Sequence, residues 1–435
     1  MSQGGRQMNA ILASLVAPVV ATLATVRRHR PDYMIVLYMG LLMLFGLIII
    51  YAIGPQRANV LNNAYGSDFS DVYFFTKQTV SLLLALLAFG LMAVLPYAWI
   101  TKRGGILLLI GLLASAVLAV AGWVGLSIAQ CNLGACRWYD LGPLGTLQPA
   151  EILKFGILVF TAGFLGSKIS QGKTNNVQET LIPIGIIWVI SMLFIIVIQK
   201  DLGTGIALTS IITAMLLVGG INKKVGFTIL TAVLVIGVGF IVSAPHRIDR
   251  ITTFVQGDNS STDDAGGYHI EHAKIAIGSG GVFGVGIGNS VQATGYLPEA
   301  INDSVFAILG ETFGFVGLVA ILSLFLALLM RLLKAMDHLI DIRMKLLVAG
   351  VFGWLGSHVI LNVASMIGIF PLTGITLPLL SFGGTSMIFI AAALGLVFQL
   401  SRYTVHTSRL KEATDENSSS RRGIGRTRYT GRRSS

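Results

Sequence analysis

The feature that leaves this chain few possible folds is its succession of long apolar runs. A membrane helix needs roughly 20 mostly apolar residues, and about ten runs meet or approach that length. They are Met34–Ile53, Thr79–Ile100, Ile106–Ala129, Ile152–Leu165, Leu181–Ile198, Leu202–Gly220, Val225–Ala244, Val305–Leu333, Leu346–Ile369 and Ser386–Leu400. The fourth and the last are short and draw on flanking residues for length. Over the whole chain 54% of residues are hydrophobic and 12% charged, too little charge for a soluble domain of this size. Within a bilayer a segment must satisfy its own backbone hydrogen bonds, which selects helices. The expected fold is an all-α polytopic membrane protein of about ten transmembrane helices, with a large extracytoplasmic loop between spans seven and eight.

Basic residues give the orientation. If the spans alternate, Arg27, Arg28 and Arg30, Lys102 and Arg103, Lys168 and Lys173, Lys223 and Lys224, Arg331, Lys334, Arg343 and Lys345, and the tail after Arg402 share one side. That side is expected to be cytoplasmic. The other then holds Gly54–Lys77, Cys131–Ala150, the Gln199–Asp201 turn, Pro245–Ser304 and Phe370–Thr385. The expected location is the cell inner (cytoplasmic) membrane, multi-pass, with both termini cytoplasmic.

Residues 1–30 read as a cytoplasmic N-terminal segment, 31–404 as the transmembrane domain with its large loop at 245–304, and 405–435 as a basic disordered tail. Within the first, Met8–Val26 is apolar and contains Pro18. It reads as an extra span, an interfacial helix or a signal-like segment. Its charge order is wrong for a cleaved signal, and its shortness favours a packed or interfacial helix. From Arg402 onward nine Lys/Arg face three acids, so the tail carries more than half of the net charge of +11. It is too polar to build a core and suits contact with anionic membrane lipids. No aromatic or folded motif accompanies the charge, so nucleic acid is not the expected partner. The two cysteines, Cys131 and Cys136, share an extracytoplasmic loop. That compartment permits a disulfide, and two free thiols are equally compatible.

The stretch Gly278-Ser-Gly-Gly-Val-Phe-Gly-Val-Gly-Ile-Gly-Asn-Ser-Val-Gln-Ala-Thr-Gly-Tyr-Leu-Pro-Glu-Ala-Ile-Asn-Asp303 is the most telling about function. Glycines let backbone come close to a ligand. Irregular backbone near a bilayer survives where it lines a cavity, and a carboxylate delivered there is a functional candidate. The interrupted stretch Gly368–Gly384 has a broken-helix pattern, either a tight turn or a cavity wall presenting backbone amides. His269 and His272 read as loop-surface residues without a third metal ligand.

These segments resemble the SEDS family of peptidoglycan glycosyltransferases over most of the chain. The run from Gly284 to Ala300 is more similar to the cell-division branch (FtsW) than to the elongation branch (RodA). Arg137-Trp138 with Gln148-Pro-Ala-Glu151-Ile-Leu-Lys154 looks like one family element, and Gln199-Lys-Asp201-Leu-Gly-Thr204 like another. His246-Arg247-Ile-Asp-Arg250 resembles the opening of the large loop. Asn362 with Pro371, Thr373, Gly374 and Ser381-Phe-Gly-Gly384 resembles the final signature. The sequence also departs from the pattern: Ile301-Asn302-Asp303 stands where the family has His-Thr-Asp, Ala150 for Ser, Lys200 for Pro and His272 for Gln.

The resemblance implies polymerisation of lipid II into glycan strands at the outer membrane face during septal wall synthesis, with undecaprenyl pyrophosphate leaving. Asp303 would be the general base. Arg137, Lys154, Arg247 and Arg250 would hold pyrophosphate, and Glu299 belongs to the same substrate loop. Glu151 and Asp201 would orient those cations or hold a divalent cation (Mg or Mn). Each also has a plain structural reading, as a helix cap for Asp303 and Asp201 and as an ion pair for Glu151–Lys154. The implied partners are a class B penicillin-binding protein with a single span and other divisome proteins. A lipid II flippase and a non-catalytic division scaffold are the alternatives. A coupled transporter buries ionisable groups near the bilayer midplane, whereas the middles of these spans read as nearly free of charge.

Overall fold

The computed structural model describes residues 30–132, 135–142, 145–222, 224–227, 231 and 265–404. Met8–Val26, nearly all of the seventh expected span, Arg247 and Arg250, and the basic tail lie outside the described residues. The chain forms α1 (Tyr33–Tyr65), α2 (Tyr73–Val94), the short α3 (Tyr97–Lys102), α4 (Gly104–Val124) and three strands, β1 (Ala129–Asn132), β2 (Ala135–Asp140) and β3 (Thr146–Leu147). Then follow α5 (Pro149–Ser170), α6 (Val177–Ile198), α7 (Leu202–Val218), α8 (Ala265–Ser279), α9 (Val305–Asp337), α10 (Ile342–Met366) and α11 (Gly384–Leu400). Among the described residues eight helices are long and apolar enough to cross a membrane, and α7 is a shorter apolar one. The helical membrane body is as expected, with a helix over each of the nine expected spans that fall within the described residues.

The boundaries differ from expectation for local reasons. α1 runs on through Pro55 to Tyr65 and ends on Gly66, whose φ of 64° is a left-handed stop. The expected loop at Gly54–Lys77 therefore shrinks to residues 66–72. α2 stops at Val94 because Pro96 follows, and the chain restarts as α3. Between Cys131 and Ala150 the sequence suggested only a loop. The structure has a three-stranded antiparallel sheet in the order β1-β2-β3. Cys131 pairs with Cys136 across it, and the two form a disulfide. The Thr385 hydroxyl donates to the Thr146 carbonyl (2.6 Å) and the Tyr139 hydroxyl to Ala114 (2.7 Å), tying the sheet to α11 and α4. Burial pushes the Tyr139 phenol above its ordinary pKa.

α2 packs along α11, α4 along α5 and α7 along α10. α4 and α5 touch backbone to backbone, because Gly111 faces Leu153 and Gly156 faces Leu108, the small-residue contact common between membrane helices. α10 and α11 lie at the centre, with Trp354, Leu347, Leu394 and Val397 buried. Leu83, Leu87, Leu113, Val117, Phe315 and Leu326 face outward, as an apolar solvent allows.

The two ends of the bundle differ. At the basic end, Asp32 caps α1 by accepting from Met34 N (3.1 Å) and pairs with Arg331 (2.5 Å). Asp341 caps α10 through Arg343 N (2.9 Å) and accepts from the Tyr97 hydroxyl (3.4 Å). Burial, together with that carboxylate, pushes the Tyr97 phenol up to about 12. The opposite end gathers the irregular segments.

Candidate active site

Asp303 closes the irregular segment and precedes α9. The N-cap position of α9 belongs to Ser304, so Asp303 is not the residue that begins the helix. Its main chain is fixed from outside: Asn362 on α10 donates one hydrogen bond to the Asp303 carbonyl (2.7 Å) and another to Ile375 (2.7 Å). Phe382 N donates to Ile301 O (2.8 Å). One buried amide thus joins the Asp303 loop to the 367–383 segment, which runs as irregular backbone. Asp303 itself is half-buried. Glu299, in a left-handed conformation (φ 50°), pairs with Arg57 (3.5 Å) and accepts from the Asn302 side chain. Arg57 reaches it because α1 extends past the expected end of its span.

The glycine run does something other than expected. It meets protein, not an open ligand cavity, over much of its length. α9 is broken at Gly314 (φ 66°, ψ −166°), and the loop inserts there. Val285 N donates to Glu311 O (2.9 Å), Gly286 N to Thr312 O (3.1 Å), and Phe315 N to Gly281 O (2.9 Å). A Cβ on Gly284 would collide with the Thr312 carbonyl, and one on Gly314 with Gly284 N. Both have positive φ, so glycine satisfies contact and conformation together. The freed backbone groups of the broken helix are satisfied by the loop, as membrane depth requires.

Glu311, which the sequence reading passed over, lies in the buried first half of α9 at 2% exposure. It accepts from the Ser290 hydroxyl (2.5 Å) and from Val291 N (2.9 Å) and Gln292 N (3.3 Å). The signal was present: an acid six residues into an apolar span is a functional or structural marker by default. His269 and His272 also depart from expectation. Both lie on α8, not on a surface loop. His269 is buried against the Ser304 hydroxyl (2.5 Å), next to Asp303, and His272 Nδ1 contacts Gln292 Oε1 (2.8 Å).

Glu151 and Lys154 do share a helix face. Their 2.8 Å ion pair is sealed, with the Lys154 side chain at 0% exposure. Lys154 Nζ also lies 3.3 Å from His358 Nε2 and over the Trp354 ring. Asp201 caps α7, accepting from Thr204 N (2.9 Å) and the Thr204 hydroxyl (2.8 Å), with Gln148 Nε2 at 3.3 Å. Arg137 donates to the carbonyls of Gln199 (3.0 Å) and Lys200 (2.8 Å), and Lys200 sits at φ 53°. Arg137, Glu151, Lys154 and Asp201 therefore belong to one wall, built from β2, the start of α5, the 199–203 turn and the 367–383 segment. Gly203 lies directly against Thr373 and Ile375. Within this wall the Gln199 amide is 1% exposed and makes no side-chain hydrogen bond inside the protein, nor do Glu151 Oε2 and Thr373 Oγ1. Buried polar atoms of this kind are costly without a partner and mark a surface suited to a polar ligand. No three His, Cys, Asp or Glu side chains converge among the described residues, so a divalent cation here would take one or two carboxylates and draw its other ligands from substrate phosphates. Glu151 and Asp201 are engaged as above.

Comparison with known proteins gives the family. The family model described as cell cycle protein, FtsW/RodA/SpoVE, matches residues 32–406. The chain belongs to the FtsW/RodA/SpoVE family. It is 32% identical to stage V sporulation protein E of Bacillus subtilis over 384 residues, covering 87% of this chain and 99% of that protein. It is 31% identical over 373 residues to a probable peptidoglycan glycosyltransferase FtsW of Nitrosomonas europaea, covering 85% and 92%. Two solved structures share the fold. One is a chain from a study of a peptidoglycan synthase complex that coordinates polymerization and crosslinking (TM-score 0.66, 24% identity, 86% and 98% covered). The other is the rod shape determining protein RodA of Thermus thermophilus (TM-score 0.60, 24% identity, 86% and 98% covered). The Asp303 loop, the α5 pair and the α10 asparagine all lie within the matched region.

Proposed function

We propose that this protein is a peptidoglycan glycosyltransferase that polymerises lipid II at the outer face of the cytoplasmic membrane, in septal wall synthesis. Family membership and the names of its relatives support the reaction class. The observation that carries the site is the fixing of the Asp303 main chain by Asn362, which ties this half-buried acid to the 367–383 segment of the polar wall. In the proposed step the acceptor sugar hydroxyl attacks the anomeric carbon of the donor. Its proton passes to the Asp303 carboxylate, the carbon–oxygen bond to pyrophosphate breaks, and undecaprenyl pyrophosphate leaves with inversion at carbon. A pyrophosphate leaving group needs counter-charge more than a proton donor. Arg247 and Arg250 are the cations proposed to supply it. Arg137 and Lys154, engaged with carbonyls and with Glu151, are proposed to set the shape and potential of the wall together with Asp201. Glu299 is proposed to hold the Asp303 loop through Arg57.

A class B penicillin-binding protein is the proposed partner, in keeping with the synthase complex among the structural neighbours. A coupled flippase needs ionisable groups free to change charge within the spans. Glu311 is instead committed to two backbone N–H groups and a hydroxyl, and Glu151 to Lys154. The test is lipid II polymerisation by the purified protein with its partner, wild type beside Asp303→Ala. Glycan strands from wild type alone support the reading; none from either protein would leave a scaffold. The proposed orientation has its own check: cysteine at Asn259 should react with an impermeant thiol reagent on intact cells, and cysteine at Ser419 should not.

A further inference from the structure

Three aromatic rings sit together beside the Asp303 loop. His272 on α8 lies against Tyr268 (centroids 4.1 Å apart) and runs nearly parallel to Tyr296 (6.1 Å, 14° between planes). The outer rings are open, Tyr268 at 37% and Tyr296 at 54% exposure. The imidazole is half-buried and anchored, because its Nδ1 contacts the Oε1 of Gln292 (2.8 Å). Gln292 is held in turn by Glu311, whose carboxylate accepts from its backbone N–H. The ribbon is therefore built on a fixed turn. It is also close to the proposed chemistry. His269 meets Ser304, the neighbour of Asp303, and His272 is three residues further along the same helix face, about 4.5 Å along the axis.

We propose that Tyr268, His272 and Tyr296 form a stacking subsite for a sugar ring of the growing glycan strand. This rests on the transferase reading given above. Pyranose rings present a face of C–H bonds that packs on aromatic π-faces, which carry partial negative charge, while their hydroxyls seek polar neighbours. Glu271 directly precedes His272, Glu299 lies three residues beyond Tyr296, and both are exposed. Exposed carboxylates this near in the chain suit a hydroxyl-bearing ring better than an acyl chain. Interfacial tyrosine belts also occur in membrane proteins, but they do not require rings registered against one another on a buried carboxylate scaffold.

The experiment uses the full-length protein in detergent and a fluorescently labelled peptidoglycan tetrasaccharide without lipid, followed by anisotropy. Binding should weaken about 2- to 10-fold in Tyr296→Ala and in His272→Gln, and Tyr296→Trp should retain it. In polymerisation, Tyr296→Ala should give shorter strands and a raised half-saturating acceptor concentration, and Tyr296→Trp should restore both. Unchanged tetrasaccharide binding in both weakening variants would overturn the subsite, whether or not lipid II is polymerised. If Tyr296→Ala altered only retention in lipid vesicles, the ring would be a membrane anchor and the proposal would fall. Tetrasaccharide binding that responds to the variants without any polymerisation by wild type would keep the subsite and sink the transferase reading instead.

Discussion

Two carboxylates of this protein are treated in opposite ways. Glu151 is sealed against a fully buried lysine, 2.8 Å from its ammonium and backed by His358 and Trp354. Asp303 is half-buried, and its main chain is fixed by Asn362 from the next helix. Burying both partners of an ion pair costs desolvation that only good geometry recovers. Both partners lie on α5, and Lys154 carries the pair against His358 and Trp354 of α10, a sealed arrangement that gives up its freedom to react. Locking the backbone of a half-buried acid fixes where its carboxylate sits without burying the residue fully. Under the proposed function the contrast gives Glu151 a structural role and Asp303 the chemical one, and it can be broken by experiment.

The largest effect should come from Asp303→Asn. The amide keeps size and most hydrogen bonding but cannot accept the acceptor's proton, so glycan formation should fall on the order of 10²–10⁴-fold. Partner binding and expression should be preserved. Near-normal synthesis by this variant would reduce Asp303 to a structural residue and erase the contrast.

Lys154→Met should act on stability first. Removing one partner of a buried pair leaves a charge uncompensated and costs about 3–5 kcal/mol, read as a lower unfolding temperature in detergent. The double variant Glu151→Leu with Lys154→Met should recover much of that loss. If the double variant were stable yet inactive, the pair would have a role in the reaction beyond holding α5 and α10. Asn362→Ala tests the other half of the comparison. It removes two backbone hydrogen bonds, each worth about 0.5–1.5 kcal/mol, and lets the Asp303 loop shift. A displacement on the order of 1 Å costs about 10² in rate, so kcat should drop much further than half-saturation rises. An equal change in both would mean the amide does not position the carboxylate.

How much of this was legible beforehand follows the same division. The apolar runs gave the helices because a bilayer leaves a segment no other way to satisfy its backbone. The Gly-to-Asp stretch marked the irregular end because backbone of that kind is expensive near a bilayer unless the protein satisfies it. What escaped was pairing over long sequence distance. Glycines 280–288 looked like a ligand cradle, and their partner, the break at Gly314, lies inside a run that reads as one unbroken span. Glu311 was hidden by the same continuity. His269 sits 34 residues before Asp303, so no local pattern announces its contact with Ser304. The Cys131–Cys136 bridge was compatible with the compartment but not required by it, and the small sheet around it has strands too short for alternation to register.

The smallest effect should be that of Asp201→Asn, and it discriminates most sharply between a cap and a ligand. Asp201 accepts from Thr204 N at the first turn of α7, where Asn is about as good an N-cap as Asp. Its second oxygen takes the Thr204 hydroxyl and the more distant Gln148 amide. With an NH₂ in that place the hydroxyl can turn to accept, and only the Gln148 contact is lost. Stability should therefore change by no more than about 0.5–1.5 kcal/mol, and polymerisation should stay within a few-fold of wild type. Asp201→Ala, which removes the cap altogether, should cost about 0.5–2 kcal/mol with a similarly modest loss of activity. If Asp201→Asn kept its stability and lost polymerisation as deeply as Asp303→Asn, Asp201 would have to touch the substrate or an ion bound with it. The division between residues that hold the wall and the one that reacts would then have to be redrawn.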